Sequence, residues 1–408
     1  MASFYIPLSG LESDSTAMNT IANNLANLNT TGYKSQTVNF SDLFYQQLGE
    51  EGSGDLIQMG SGVGVAGIES QFSNGSVVST GNETDVALQG NGFFVLQDGN
   101  TQIYTRDGNF NLGANGALTT QSGLSVMGFP ATGGVVNTNA PMTPILLPVG
   151  QIEPAQATTT MGMTVNLDSA AAVGTSVPTQ ISVYDSLGEA HVATVTYTKT
   201  ATNSWTYSIA LPAGTATGSA NASGTLTFDS SGNLTSPTSN VAGVSFTGMS
   251  DGAANLSITF DVLGSSGKPT LTQTDATSAA SATTQNGFAS GSYSGFSIAA
   301  DGTVNASFAN GQTLAVGQLA LANVPSLSGL KLLGNGNFAT TQASGNAAVG
   351  TSGSSGLGTM EDSALEASNV NISAEFSDLI IAQRAFEANS KAVTTFDTIA
   401  QETINMVH

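Results

Sequence analysis

Cysteine is absent from this 408-residue chain and basic residues are scarce: 7 Lys and Arg stand against 28 Asp and Glu, a formal net charge of -21. Without Cys there can be no disulfide, no thiolate metal site and no cysteine nucleophile. So few cations cannot form a basic stripe that neutralises phosphates, which argues against a nucleic-acid partner. Charged residues make up 9% of the chain, where about 25% is usual, so the surface has to be built from Ser, Thr, Asn and Gln. No run of eighteen apolar residues occurs, and no membrane insertion is expected. The first basic residue is Lys34, so the start lacks the basic n-region and apolar core of a cleaved signal peptide.

Histidine occurs only at His191 and His408. Neither stands in a local Ser/His/Asp triad pattern or a metal-ligand spacing, so no catalytic, cofactor or metal residue is assigned. Glu50-Glu51 and Glu361-Asp362 are paired acids in stretches read as linkers, where solvated charge explains them. Gly62-Val-Gly64-Val-Ala-Gly67 fits a dinucleotide-binding pattern, but Asn74-Gly75 and β-patterned residues follow it where a phosphate site needs a helix N-terminus.

What the chain does have is 40% hydrophobic residues and 48 glycines, with length for two or three domains of about 150 residues. Helical patterns lie at its two ends. Leu11, Met18 and Leu25 repeat every seven residues, with Ile21 and Leu28 beside them. Near the C-terminus Ile372, Leu379, Phe386, Val393, Ala400 and Val407 keep the same period, widened by Phe376, Ala382, Phe396 and Ile404. Such stripes need a partner helix. One seam at each end lets a chain pair its own termini and offer the remaining apolar surface to identical copies. Ser9-Gly-Leu-Glu12 has capping-box spacing, which predicts a first helix from Ser9 to about Leu28 or Asn29, and Gly32 suits a left-handed stop. Asn23, Asn24 and Asn27 allow two readings, helix termination or hydrogen-bonding glue between subunits, and the residues alone do not choose.

Residues 35–70 read as an extended or mixed connector. From Gln71, hairpin turn pairs such as Asn91-Gly92, Asp98-Gly99 and Asn115-Gly116 separate short apolar runs, and Gly92-Phe-Phe-Val-Leu96 is a buried strand. The same vocabulary returns at Asn286-Gly287 and Asp301-Gly302. An inner β domain is therefore expected from 71–145 with 285–358, interrupted by an outer β domain at 146–284. In the latter, Trp205, Tyr207, Ile209 and Leu211 alternate with polar or small residues, as do Leu256, Ile258, Phe260 and Val262, the mark of half-buried strands. Ala213 to Gly224 and Gln273 to Gln285 read as loops, and Thr341 to Gly358 as a linker into the last helix. The expected fold is mixed but mainly β: two antiparallel β domains, one inserted in the other, plus a terminal helical domain from 1–34 and 359–408 paired as a coiled coil.

Leu8-Ser-Gly-Leu11, Ile21-Ala-Asn-Asn-Leu-Ala-Asn27 and Thr31-Gly-Tyr33-Lys34 resemble the N-terminal motif of the axial proteins of bacterial flagella. Leu365-Glu-Ala-Ser-Asn369-Val370 and Gln383-Arg384-Ala-Phe-Glu-Ala-Asn389-Ser-Lys391 are similar to its C-terminal counterpart. Thr80-Gly-Asn82, Gly90-Asn-Gly-Phe-Phe94 and Tyr104-Thr-Arg-Asp-Gly108 resemble β-domain motifs of the rod and hook members, and Ile181-Ser-Val-Tyr-Asp-Ser-Leu-Gly188 leading to Trp205 resembles the outer domain of hook members. Ala22 departs from the Ser of many relatives.

That resemblance implies a non-enzymatic structural subunit of a curved helical tube, a flexible joint passing torque from motor rod to filament. It implies a homopolymer assembled through Leu11, Met18, Ile21, Asn23, Asn24, Leu25, Asn27, Leu28, Gly32, Tyr33 and Lys34, together with Asn369, Ile372, Phe376, Leu379, Gln383, Arg384, Phe386, Asn389, Val393 and Phe396. The implied partners are the flagellar rod, the hook cap, the hook–filament junction proteins and the type III export apparatus, which would carry the chain out of the cell. A distal-rod subunit of the same family is the alternative, and an extracellular adhesin the remote one.

Overall fold

The computed structural model describes residues 4–50, 56–264 and 267–406; Glu51, Val407 and His408 lie outside them. The chain divides into two units, one of residues 1–149, 295–306 and 313–408 and one of residues 150–294 and 307–312.

The first unit carries two helices, α1 (Tyr5–Ala26) and α2 (Ile372–Met406). The capping box does not form. Ser9 lies one turn inside α1, and its hydroxyl donates to the Ile6 carbonyl while accepting from the Val63 backbone N–H. A serine can serve either a free N–H of its own helix or another segment, and here the neighbouring strand takes it. At the other end Gly32 adopts φ +64°, and a Cβ there would sit 2.7 Å from the Arg106 carbonyl carbon, so both conformation and crowding demand glycine.

Residues 36–70 are more regular than a connector. Strand Gln36–Asp42 pairs antiparallel with Val63–Ser70, and Tyr45–Glu50 with Leu56–Gly60. The glycine pattern at 62–67 thus runs into a strand. The sheet beyond is built from both halves of the chain: Ser125–Thr132 pairs with Phe93–Asp98 near its start and with Thr313–Leu319 further along. Both faces of Phe93–Asp98 are covered. Phe94 and Leu96 enter one apolar cluster with Val126, Leu319 and Leu321, and Phe93 and Val95 enter another with Tyr104, Phe129 and Phe338.

The stretch expected as a linker into the last helix also belongs to this unit. Strand Ala348–Gly350 pairs with Leu321–Asn323, and Leu357 and Met360 are core residues. Thr359–Asp362 and Ala364–Glu366 then pair with Val86–Gln89 and Val77–Ser79. Glycine and serine set the turns here, and composition alone hides the few apolar anchors.

In the second unit two sheets enclose one core. The first follows the order Ser176–Tyr184, Ala190–Ala201, Ser204–Ala210, Ser223–Phe228, Leu234–Ser236. Trp205, Tyr207, Ile209, Leu256, Ile258, Phe260 and Val262 all point into the core. The buried Trp205 indole donates to the Gln273 side-chain oxygen at 3.0 Å. Three expectations need correcting. Within the stretch 213–224 expected as loop, Gly218–Ala220 is a short strand pairing antiparallel with Val241–Thr247. Ala279–Gln285 is a strand along Thr160–Asp168 rather than loop, its small and hydroxyl side chains suiting an exposed edge. Thr160–Asp168 also runs parallel to Leu256–Asp261 and Leu271–Thr274, so this second sheet is mixed. Period-two alternation is the same for parallel and antiparallel neighbours, so the residues could not reveal the direction.

Candidate assembly site

α1 and α2 pack antiparallel. Phe4 meets Phe396 with ring centroids 6.0 Å apart, the Asn389 amide donates to Asp14 at 2.9 Å, and the Asn24 amide donates to Glu375 at 2.9 Å. The seam on α1 is not the leucine stripe. Leu11, Met18, Ile21, Leu25 and Leu28 are only half-buried, whereas Gly10, Ser13, Thr20 and Asn24, on one face of the helix, are buried. The reason is closeness: a Cβ on Gly10 would lie 2.5 Å from the Asn389 amide nitrogen. Larger side chains there would overpack and force the helices apart.

On α2, Glu375, Ala382, Asn389 and Phe396 recur every seven residues, interleaved with Leu379, Phe386, Val393 and Ala400, and all eight are buried or half-buried. Gln383 and Arg384 are exposed. So are Ile372, Ile380 and Ile404, and Phe376 keeps 53% and Ile381 65% of its surface exposed. Tyr5 and Leu8 do the same on α1. An open groove beside the seam is lined by Ile21, Val38, Phe40 and Ile381 together with Asp14, Glu375 and Asp378. Burial pushes the Glu375 carboxyl above its ordinary value; the Asn24 hydrogen bond opposes this and the Asp378 charge adds to it.

The three amides act within the chain. Asn24, fully buried, also donates to the Gln36 carbonyl and accepts from the Gln36 N–H and the Tyr33 hydroxyl. Asn23 donates to Tyr33, and Asn27 back to Asn23. Below them the quoted motifs converge on one buried ion cluster. Lys34 Nζ is 2.7 Å from Glu366 Oε1 and donates to the Ser73 carbonyl at 2.9 Å; Arg106 Nη1 is 3.5 Å from Glu366 Oε2. The Gly75 N–H also donates to Glu366. Asn369 accepts from the Ser35 N–H and donates to the Gln71 carbonyl, both at 2.7 Å, while Thr31 donates to Asp107. Burial lowers the pKa of both Lys34 and Arg106, and the Glu366 charge opposes it in each. Sequence reasoning missed Glu366, Arg106 and Asp107 as members of this site, although each stands inside a motif it quoted.

An ion-paired knot that fastens two chain ends, with a helix pair above it that leaves large apolar side chains bare, is equipment for holding and joining. No helix among the described residues is long and apolar enough to cross a membrane. Four family models match: the flagella basal body rod protein over 4–34, the flagellar hook protein FlgE/F/G D1 domain over 87–181, the flagellar basal body protein FlaE D2 domain over 168–288, and the flagellar basal body rod FlgEFG protein C-terminal over 361–406. The flagellar hook protein FlgE of Salmonella typhimurium is 37% identical, covering 99% of this chain and 100% of its own length. That of Treponema pallidum is 32% identical over 100% and 99%. The fold is similar to that of Helicobacter pylori flagellar hook protein FlgE2, with a TM-score of 0.54 at 13% identity, covering 71% of this chain and 100% of the other. Terminal and β-domain models in one order, with relatives matched from end to end, place the chain in the flagellar hook protein family as a structural subunit of the hook.

Proposed function

We propose that copies of this chain form a curved tube in which the α1/α2 pairs line the inner wall and the β units the outside, a flexible joint passing torque from rod to filament. The observation that carries this reading is the apolar surface left on the helix pair after its own seam has closed. Burying such surface between copies is worth about 25 cal/mol per Å². A head-to-tail contact that does not close on itself propagates as a helix. On the outer unit, hydroxyl-rich surfaces with few charges let neighbours slide without breaking ion pairs as the tube bends. The subunit needs no catalytic group for this role. Its proposed partners beyond itself are the rod, the hook cap, the hook–filament junction proteins and the type III export apparatus, through which it leaves the cell.

Phe376→Asp tests the reading. Phe386, half-buried in the α2 row that packs toward α1, would mix a folding defect with an assembly defect, whereas Phe376 is exposed in the single chain. In a polymer the new carboxylate would be buried without a partner, at a cost of several kcal/mol per copy. The expected result is folded monomer in the culture medium, no hooks and no swimming. Normal hooks in that strain would refute the assignment of this face.

A further inference from the structure

Outside the helical site, three side chains of the second unit converge. Asp185 sits in the turn after strand Ser176–Tyr184, His191 is the second residue of strand Ala190–Ala201, and Asp251 belongs to the loop between Val241–Thr247 and Leu256–Asp261. Their nearest ligand atoms all lie within 4.8 Å of one another. His191 Nε2 is 2.7 Å from Asp185 Oδ2 and 3.7 Å from Asp251 Oδ2. The site is sheltered, with side-chain exposures of 0% for Asp185, 8% for His191 and 18% for Asp251.

Both carboxylates are fixed from behind. Asp185 Oδ1 accepts from the Leu187 and Glu189 backbone N–H groups at 2.8 and 3.0 Å, and Asp251 Oδ1 from that of Ala253 at 3.0 Å. Their Oδ2 atoms are left to face the imidazole. That arrangement has an unmet requirement: Asp251 Oδ2 is buried and has no hydrogen-bond donor. His191 cannot supply one. Nε2 carries at most one hydrogen whether the ring is neutral or charged, and the 2.7 Å contact commits it to Asp185. A buried carboxylate oxygen without a donor is costly.

A dication in place of that hydrogen would serve all three atoms at once. Zinc binds imidazole nitrogen and carboxylate oxygen at about 2.0–2.2 Å, which puts neighbouring ligands of a tetrahedral site about 3.4 Å apart. The observed separations of 2.7 and 3.7 Å fall on either side of that value. One imidazole with two carboxylates favours zinc or a similar transition-metal ion over calcium, which takes oxygen ligands.

We propose that Asp185, His191 and Asp251 form a structural binding site for zinc or a similar divalent transition-metal ion, with water in the remaining position. The ion braces the hairpin turn of one sheet against a loop of the other, beside the 2.9 Å hydrogen bond from the Ala254 N–H to the Ser186 hydroxyl. The ligands span the two sheets of the second unit, so the brace limits how far that unit deforms. The site is independent of the helical assembly surface. Its spacing is unreadable in sequence because Asp251 joins from a distant loop.

The test is calorimetric titration of the full-length monomer with zinc chloride, alongside Asp251→Asn and His191→Gln variants checked for folding by circular dichroism. The expected result is one-to-one saturable binding with a raised melting temperature, while each variant weakens binding by more than about tenfold, at least the loss seen when a supporting residue of a metal site is removed. No saturable binding at millimolar zinc would overturn the proposal and leave a proton shared between the two carboxylates as the answer to the orphaned oxygen. Equal affinity in both folded variants would overturn it too, since the ion would then sit elsewhere on this acidic chain.

Discussion

Glu366 is the residue on which the junction between chain ends and β core turns. Its carboxylate meets two cations, Lys34 and Arg106, in a place where all three side chains are almost wholly buried. Removing one member of such a group strands the remaining charges, which costs about 3–5 kcal/mol. Glu366→Gln keeps the shape and the acceptor for Gly75 but leaves both cations without a counter-ion, so its urea midpoint should fall steeply. Lys34→Met should cost less, because it removes a cation that burial already disfavours and leaves the Arg106–Glu366 pair in place. The reverse ranking would contradict the account. Lys34 was legible as a motif residue, but its partner was not: Lys34 and Glu366 are 332 positions apart, and no periodicity reports a contact of that range.

Among the elements, the strands were the more legible. Trp205, Tyr207 and Ile209 alternate because one sheet face is buried and the other is wet, and that contrast is written directly in residue type. The helix seam was misread because it reverses the usual contrast. Gly10, Ser13 and Thr20 are buried because they are small, while Leu11, Met18 and Leu25 flank the contact. A hydrophobicity pattern points to the larger residues, and only the distance between the helices selects the smaller ones. The polar members of the seam also set a pH dependence. The pKa of Glu375 is raised above 4.5, chiefly by burial, so the folded chain holds that proton more tightly than the unfolded chain. Stability from this group is therefore greatest below 4.5 and is lost as pH rises through the raised value. Glu375→Gln keeps an acceptor for the Asn24 amide without the charge. The monomeric variant should melt above wild type near neutral pH, and the two should converge in acid. A variant melting lower at neutral pH would show that the carboxylate's charge stabilises the pair.

At the scale of the whole molecule, the mainly β class and the paired terminal helices followed from composition and from helical periods at opposite ends. The pairing of Ser125–Thr132 with both Phe93–Asp98 and Thr313–Leu319 explains why hairpin vocabulary stops and resumes across the second unit. What composition concealed was how far the β core reaches toward α2: Leu357, Met360 and the strand Ala364–Glu366 carry few letters in a Gly/Ser-rich background. The central claim is that the bare apolar side of the helix pair is covered by neighbouring copies. Electron cryomicroscopy of the polymer grown from the purified chain tests it most directly. The account predicts curved hollow tubes with α1 and α2 lining the bore and Phe376, Ile380 and Ile381 buried against adjacent subunits; tubes that leave these three side chains in solvent would contradict it.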